Sequence, residues 1–202
     1  MHKLPFFLAI ATVFLLTSCI EEPKPKEEKP AEPVTALKAF YAVFANARSW
    51  STDIQVLDVK SIDLDDKHRC KEGKCWAWSV MLISPSKRQM KMFTYSTIES
   101  QGNLHKGVFG NLEESWGGTR GQDKPYLMQA LKKDSTDAYQ TAVGKSADYI
   151  KKHPDMPITY EVTLTPKYPQ PCYRVVWGES VATSSYSILV DSSTGGYVET
   201  LH

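Results

Sequence analysis

The chain of 202 residues lacks the features that mark several common classes of binding protein and enzyme. It has 24 Lys and Arg against 23 Asp and Glu, so there is no excess of basic side chains for contacts to nucleic-acid phosphates. The five histidines are scattered without a ligand spacing, so the sequence predicts no metal site. It also has no CxxC pair, no GxSxG elbow and no glycine-rich phosphate loop. We therefore predict no cofactor and no catalytic residue, and no nucleic-acid partner.

Long apolar runs are equally scarce, and the one that stands out lies within residues 1–18, MHKLPFFLAIATVFLLTS. This run is shorter than the ~20 residues of a membrane-spanning helix and follows a short basic start, as in a secretory signal peptide. It ends in LTSC (residues 16–19), which resembles a bacterial lipobox. The resemblance implies cleavage before Cys19, lipidation of Cys19 and attachment of the chain to a membrane through acyl chains. A plain signal peptide with a chance cysteine, or an uncleaved anchor, is the alternative.

Residues 19–34 are predicted to be a lipidated cysteine followed by a tether. Ile20 follows the cysteine where an aspartate would favour retention in an inner membrane, so the resemblance favours the periplasmic face of an outer membrane. Four prolines then alternate with Glu and Lys, and apolar residues are nearly absent. Such a segment cannot bury enough surface to fold, and its prolines favour an extended spacer of about 3.1 Å per residue.

The remaining cysteines are three: Cys70, Cys75 and Cys172. Export would place them in an oxidising compartment. Cys70 and Cys75 flank a Glu-Gly pair between strand-like runs, and two cysteines across a tight hairpin turn can meet the geometry of a disulfide. We predict a Cys70–Cys75 disulfide, with other pairings as the alternative. Cys172 would then be left over, and a small buried residue is a commoner role for it than a reactive thiol.

The periodicity of apolar residues predicts the same order of elements, a helix followed by several strands, at two places in the chain. A helix-like stretch, TALKAFYAVFANARSW, precedes several runs of alternating apolar and polar residues, and a second, STDAYQTAVGKSADYIKKHPD, does the same about a hundred residues later. We predict an α+β fold of two tandem helix-plus-antiparallel-sheet repeats. The first would cover residues 35–110 and the second residues 135–202, with residues 111–134 as a linker that contains a short helix.

The C-terminal segment YSILVDSSTGGYV (residues 186–198) resembles the closing hairpin of PepSY-type domains. Asp191 can cap the turn, Gly195 can supply a positive φ, and the strand would resume at Tyr197. The resemblance covers residues 137–202 best and residues 36–105 only faintly. It implies a cystatin-like packing of a helix on an antiparallel sheet, and a role in the cell envelope that includes regulation of secreted peptidases. The family has no catalytic residues, so the resemblance implies none in this chain.

Three tryptophans are candidate contacts for a partner. Trp76 and Trp78 are two residues apart on a predicted strand, so they share one face of it. That face either packs against a helix as core or points outward as a binding patch. Trp116, in the predicted linker, is either a plug against the sheet or an exposed contact. The acidic residues Asp63, Asp65 and Asp66 lack the spacing and the glycine of a calcium-binding loop, so we predict a solvated turn there.

These observations favour a non-catalytic binding module, attached to the cell envelope through Cys19, whose partner is a protein or peptide. Strand addition at a sheet edge is one way for it to bind. The alternatives are a small-ligand carrier or an enzyme with a pocket between the two repeats, and a structural spacer. A concave site with converging polar groups would favour the alternatives.

Overall fold

The computed structural model of the chain describes residues 30–100, 102, 104–119 and 124–202. Residues 31–202 form one compact unit. The predicted lipidation site Cys19 and almost all of the tether lie outside the described residues. The unit consists of helices packed on a large antiparallel sheet, so the predicted α+β class is confirmed.

A group of strands follows the first helix, and a second group follows two consecutive helices. In chain order they are β1 (Val34–Thr35), α1 (Ala36–Ala47), β2 (Gln55–Ser61), β3 (Lys74–Cys75), β4 (Ala77–Ser84), β5 (Gln89–Ser96), β6 (Gly107–Ser115), α2 (Ser135–Lys145), α3 (Ala147–Lys152), β7 (Ile158–Thr163), β8 (Cys172–Trp177), β9 (Ser187–Asp191) and β10 (Tyr197–Leu201). Short 3-10 turns lie at Asp66–His68 and Met128–Ala130.

Eight of the strands form one sheet in the order β10-β9-β8-β7-β2-β4-β5-β6, with every neighbouring pair antiparallel. The central pair, β2 and β7, joins the two parts of the chain through three register pairs, including Val59 with Val162 and Lys60 with Glu161. The remaining strands β1 and β3 form a separate two-stranded ribbon. The first and second predicted sheets are therefore one continuous sheet.

The core lies between the helices and one face of this sheet. Helix α1 begins after Thr35, whose side chain accepts a hydrogen bond from the Lys38 amide, and it buries its apolar stripe at helical spacing. Successive side chains of a strand point to opposite faces of the sheet, so every second residue of these strands packs towards α1. The largest fully buried side chains are Trp78, Trp177, Tyr160, Tyr173, Phe40, Leu82, Ile83 and Ile188.

The segment predicted as a linker is partly strand. Residues Gly107–Ser115 form β6 and pair with β5 as far as Ser115 with Gln89. Strand β6 therefore runs across the predicted boundary at residue 110, because pairing with β5 outweighs the turn-forming composition of this segment. The short helix predicted within the linker is a single 3-10 turn at Met128–Ala130.

A tight turn at the tip of the β3 ribbon holds the helices and the sheet together. Cys70 and Cys75 are joined in a disulfide, and between them Glu72 and Gly73 have φ angles of 50° and 83°, as in the turns that favour glycine. The Gly73 amide donates to the Tyr160 hydroxyl at 3.0 Å. The Gly73 carbonyl accepts from the Ser135 hydroxyl at 2.5 Å, and that hydroxyl accepts from the Ala36 amide at 2.9 Å. We call this group of hydrogen bonds the turn node.

The start of α2 reinforces the turn node electrostatically. Asp134 caps α2 in a capping box with Asp137, and its Oδ1 also accepts from the Leu37 amide of α1 at 3.0 Å. One carboxylate therefore serves the N-termini of two helices, where a negative charge is favoured. The two helices start from the same point as a result.

Because of the turn node, we expect the free energy of unfolding to depend strongly on the absence of a side chain at Gly73. A Cβ there would lie 2.5 Å from the carbonyl oxygen of Ser135 and 2.6 Å from Cα of Thr136. Since both obstacles are backbone and the φ is positive, we expect Gly73→Ala to lower the free energy of unfolding by about 2–4 kcal/mol. Urea titration of residues 31–202 measures this.

Gly144 is the matched control for this substitution. It lies in α2 with no atom within 4 Å of its ideal Cβ, so Gly144→Ala is expected to raise the free energy of unfolding by about 0.5–1 kcal/mol. Equal effects of the two substitutions would contradict the role given to the turn.

Candidate functional site

The sheet face opposite the helices carries a row of side chains that runs across five strands. In register, Lys60 of β2 lies beside Glu161 of β7, then Arg174 of β8, Leu189 of β9 and Glu199 of β10. Register pairs place such side chains about 5 Å apart on the same face. Polar and apolar groups from distant parts of the sequence thus converge here.

A groove of about 650 Å³ lies over the second part of this row. Cys172, Arg174 and Leu189 contribute to its floor, the segment 165–168 forms one side, and Val181 forms the other. A smaller hollow of about 290 Å³ adjoins it at the β2–β7 seam and shares Glu161 and Val181. In the alternative interpretation of the sequence a pocket lies between the two repeats; the smaller hollow lies at the β2–β7 seam, and the larger groove lies over β7–β10.

Ion pairs fix the two ends of the row. Lys60 Nζ lies 3.0 Å from Glu161 Oε1 and 3.3 Å from Asp58 Oδ2. Burial opposes the charge of Lys60, but the two carboxylates outweigh it and raise the pKa of this lysine. At the other end, Lys167 Nζ lies 2.5 Å from Glu199 Oε2, which also accepts from the Tyr168 hydroxyl. These hydrogen bonds lower the pKa of Glu199.

Cys172 is the free thiol of the groove, and it is only 6% exposed. Burial, together with the nearby charge of Asp191, raises the pKa of this thiol to about 11. The thiol is therefore protonated at neutral pH and is a poor nucleophile, since the thiolate is the reactive form. Its weak hydrogen bond to the Gln170 carbonyl, at 3.6 Å, is a structural contact.

A second polar cluster surrounds Asp53, away from the groove. Its carboxylate accepts hydrogen bonds from the Ser84 and Ser51 hydroxyls, each at 2.7 Å, and from the Ser86 amide at 2.7 Å. These bonds, the one from Ser84 first, hold the pKa of Asp53 well below its usual range. The carboxylate joins the end of α1 to the β4–β5 hairpin, which is a structural role.

The acidic turn at residues 63–68 is also held by local contacts. Asp65 accepts from the amides of Lys67 and His68 and lies 2.9 Å from the His68 ring nitrogen, as the cap of a 3-10 turn. Asp66 pairs with Arg69 at 2.6 Å. Within the described ranges, no group of three or more His, Cys, Asp or Glu side chains is placed to hold a metal ion.

The three candidate tryptophans have different surroundings. Trp78 is fully buried, and its indole nitrogen donates to the Val34 carbonyl at 3.0 Å, so of the two alternatives for its face it takes the core position and is not an exposed partner contact. Trp76 is half-buried and its ring packs edge-on against His68. Trp116 is half-buried just beyond β6, where its amide donates to the Arg88 carbonyl. The structure does not bring the three together as one patch.

The edge strand β6 exposes apolar side chains that the sequence reasoning missed. Leu112 is 89% exposed and Phe109 is 42% exposed. The register shifts between Phe93–Gly110 and Lys91–Glu113, which is a bulge, and a bulge can turn a side chain away from the ladder. The signal in the sequence was an apolar residue on either side of Gly110 and Asn111, at the predicted boundary between the first repeat and the linker.

No protein-family model, curated protein or solved structure matches the chain.

Throughout the part of the chain that the structure describes, no helix is long and apolar enough to cross a membrane.

The state of the cysteines can be tested by thiol labelling. In unreduced, folded protein we expect Cys172 to react with iodoacetamide at pH 8 roughly a hundredfold more slowly than a free cysteine, because its raised pKa leaves little thiolate. Mass spectrometry should find one modified cysteine of residues 31–202 after unfolding in urea, and three after reduction and unfolding. Rapid labelling of the folded protein, or three modified cysteines without reduction, would contradict this assignment.

Proposed function

We propose that this chain is an envelope protein, anchored by a lipidated Cys19, that binds a protein or peptide partner without catalysis. The observation that carries the proposal is the free edge of β6. This strand closes the large sheet on one side, and no described strand pairs with its outer edge. An edge of this kind offers a row of backbone donors and acceptors to an added strand.

The chemistry of β6 favours an extended partner segment with apolar side chains. Phe109 and Leu112 lie exposed along the strand and border a shallow groove of about 470 Å³, together with His105 and Glu114. Apolar contacts would add affinity to the backbone hydrogen bonds, and Glu113 and Glu114 would favour a basic residue near the end of the segment.

The titratable groups with shifted pKa values support a role without catalysis. Asp53, Asp65 and Glu199 each have a lowered pKa because of hydrogen bonds to neighbours that fix local structure. The Cys172 thiol has a raised pKa and has neither a histidine nor a lysine among its hydrogen-bond partners in the described chain. A catalytic site would pair such a group with a base within hydrogen-bond reach.

We also infer that the two parts of the chain are repeats of one unit, as the recurring order of helix and strands in the sequence predicts. Helix α1 precedes β2, β4, β5 and β6, and helices α2 and α3 precede β7, β8, β9 and β10. The first strands of the two sets, β2 and β7, lie side by side and antiparallel at the centre of the sheet. An internal two-fold relation at this seam would explain why both sets run outward in chain order.

Capture of the partner tests the role of β6. Residues 31–202, crosslinked in the envelope fraction of the source organism, should enrich a specific protein or peptide that mass spectrometry identifies. The double variant Phe109→Ser with Leu112→Ser should lose this partner at least tenfold while its stability stays within about 0.5 kcal/mol, because both side chains are exposed.

Tyr41 and Leu127 provide the matched control. They are 53% and 59% exposed and lie away from β6, so Tyr41→Ser with Leu127→Ser should leave the capture unchanged. Equal capture by both double variants, or no enriched partner, would count against binding at β6.

The membrane attachment is tested on the full chain. In the unaltered protein, mass spectrometry of the membrane fraction should find a chain that begins at Cys19 and carries acyl chains. Cys19→Ala removes the thiol that accepts them, so neither the acyl mass nor cleavage before residue 19 should be found, whereas Ser18→Ala, which keeps a small residue before the cysteine, should keep both. An unaltered chain that carries no acyl mass at Cys19 would show that the lipobox interpretation is wrong.

A further inference from the structure

Arg174 is one of three charged residues that line the groove over β7–β10, together with Glu161 and Lys167. Its Nε donates to the Ser187 hydroxyl at 2.9 Å, which fixes the guanidinium against β9. Across the residues that the structure describes, its two Nη atoms have no hydrogen bond and no ion pair. A half-buried guanidinium with two nitrogens unpaired and its orientation fixed is suited to bind a planar anion.

The acidic side chains on either side of Arg174 are engaged elsewhere. Glu161, its register neighbour on β7, is bound at 3.0 Å by Lys60. Glu199, beyond Leu189 in the same row, is bound by Lys167 and Tyr168. The positive charge of Arg174 is therefore left for a group that enters the groove.

The surface around Arg174 is largely apolar. Leu189 and Cys172 are 7% and 6% exposed on the floor, and Leu201, Val181 and Pro166 also line the groove. Its volume of about 650 Å³ lies within the range of ~300–1,000 Å³ typical of small-molecule sites. A ligand with an apolar body and one anionic end matches this distribution.

We propose that the groove binds an apolar monocarboxylate, whose carboxylate pairs with the Arg174 guanidinium and whose apolar part lies against Leu189 and Leu201. This site is separate from β6, so it stands or falls independently of strand addition. It adds a small-ligand site to the second half of the sheet.

The surroundings favour a carboxylate over a phosphate. The two oxygens of a carboxylate match the fork of a guanidinium, so two parallel hydrogen bonds can form. Lys167, the other cation among the described lining residues, is already paired with Glu199, so Arg174 alone can match one negative charge of the ligand but not a second. A free apolar acid and the C-terminus of an apolar peptide present the same chemistry to the groove.

Titration with paired probes tests the proposal and separates these two sources. Every buried core side chain that the structure describes lies within residues 31–202, which form one compact unit, so this unit is the protein to use. Octanoate and N-acetyl-dileucine are added in turn, and binding is followed by calorimetry and by NMR of backbone amides. We expect at least one of them to saturate, with shifts centred on β7–β10. Its neutral amide should bind at least about tenfold more weakly, or ~1.4 kcal/mol.

Binding of octanoate would identify a free apolar acid as the source, and binding of N-acetyl-dileucine without octanoate would identify a peptide C-terminus. Arg174→Gln should weaken either by at least about tenfold, because it removes the charge of the anion's partner. Leu201→Asp should do the same by placing a negative charge in the groove. Arg48→Gln, on an exposed arginine at the end of α1, is the matched control and should change nothing.

The proposal is wrong if neither carboxylate saturates, if Arg174→Gln binds as well as the parent, or if the shifted amides lie outside β7–β10. Thermal unfolding of each variant, measured beside the titration, shows that a loss of binding does not come from a loss of folding.

Discussion

The turn node around Gly73 is the contact on which the arrangement of helices and sheet depends. Its backbone carries hydrogen bonds to Ser135 at the start of α2 and to Tyr160 of β7, and Ser135 in turn accepts from Ala36 at the start of α1. All of these groups are buried or nearly so, and a buried donor or acceptor left without a partner costs about 1–3 kcal/mol. Moving either helix would therefore break several bonds at once.

This constraint decides which face of the sheet is free. Because α1 and α2 start from one point and lie on the same face, the opposite face is left for side chains that do not have to pack under a helix. There the register aligns Lys60, Glu161, Arg174, Leu189 and Glu199 across five strands. The groove and the free edge of β6 are both consequences of a sheet that is covered on one side and open at its ends.

Local features of the chain were readable from the sequence. The turn between β9 and β10 is an example: Asp191 accepts from the amides of Ser193 and Thr194, and Gly195 has a φ of 75°, as predicted. These features depend on residues that are near neighbours in the chain. The sequence left Trp78 open between core and an exposed patch, since its surroundings include residues far away in the chain, such as Val34, which is 44 residues away and accepts its indole hydrogen bond.

The sequence alone determined the α+β class, the position of the main helices and the presence of tight turns at Gly73 and Gly195, because periodicity and the freedom of glycine at positive φ act locally. Tertiary structure decided that β2 and β7 pair, so that two sets of strands form one sheet. It also decided that β6 extends to Ser115, since only the partner strand β5 provides its hydrogen bonds. The position of Arg174 beside Leu189 was likewise set by register, which joins residues that are distant in the chain.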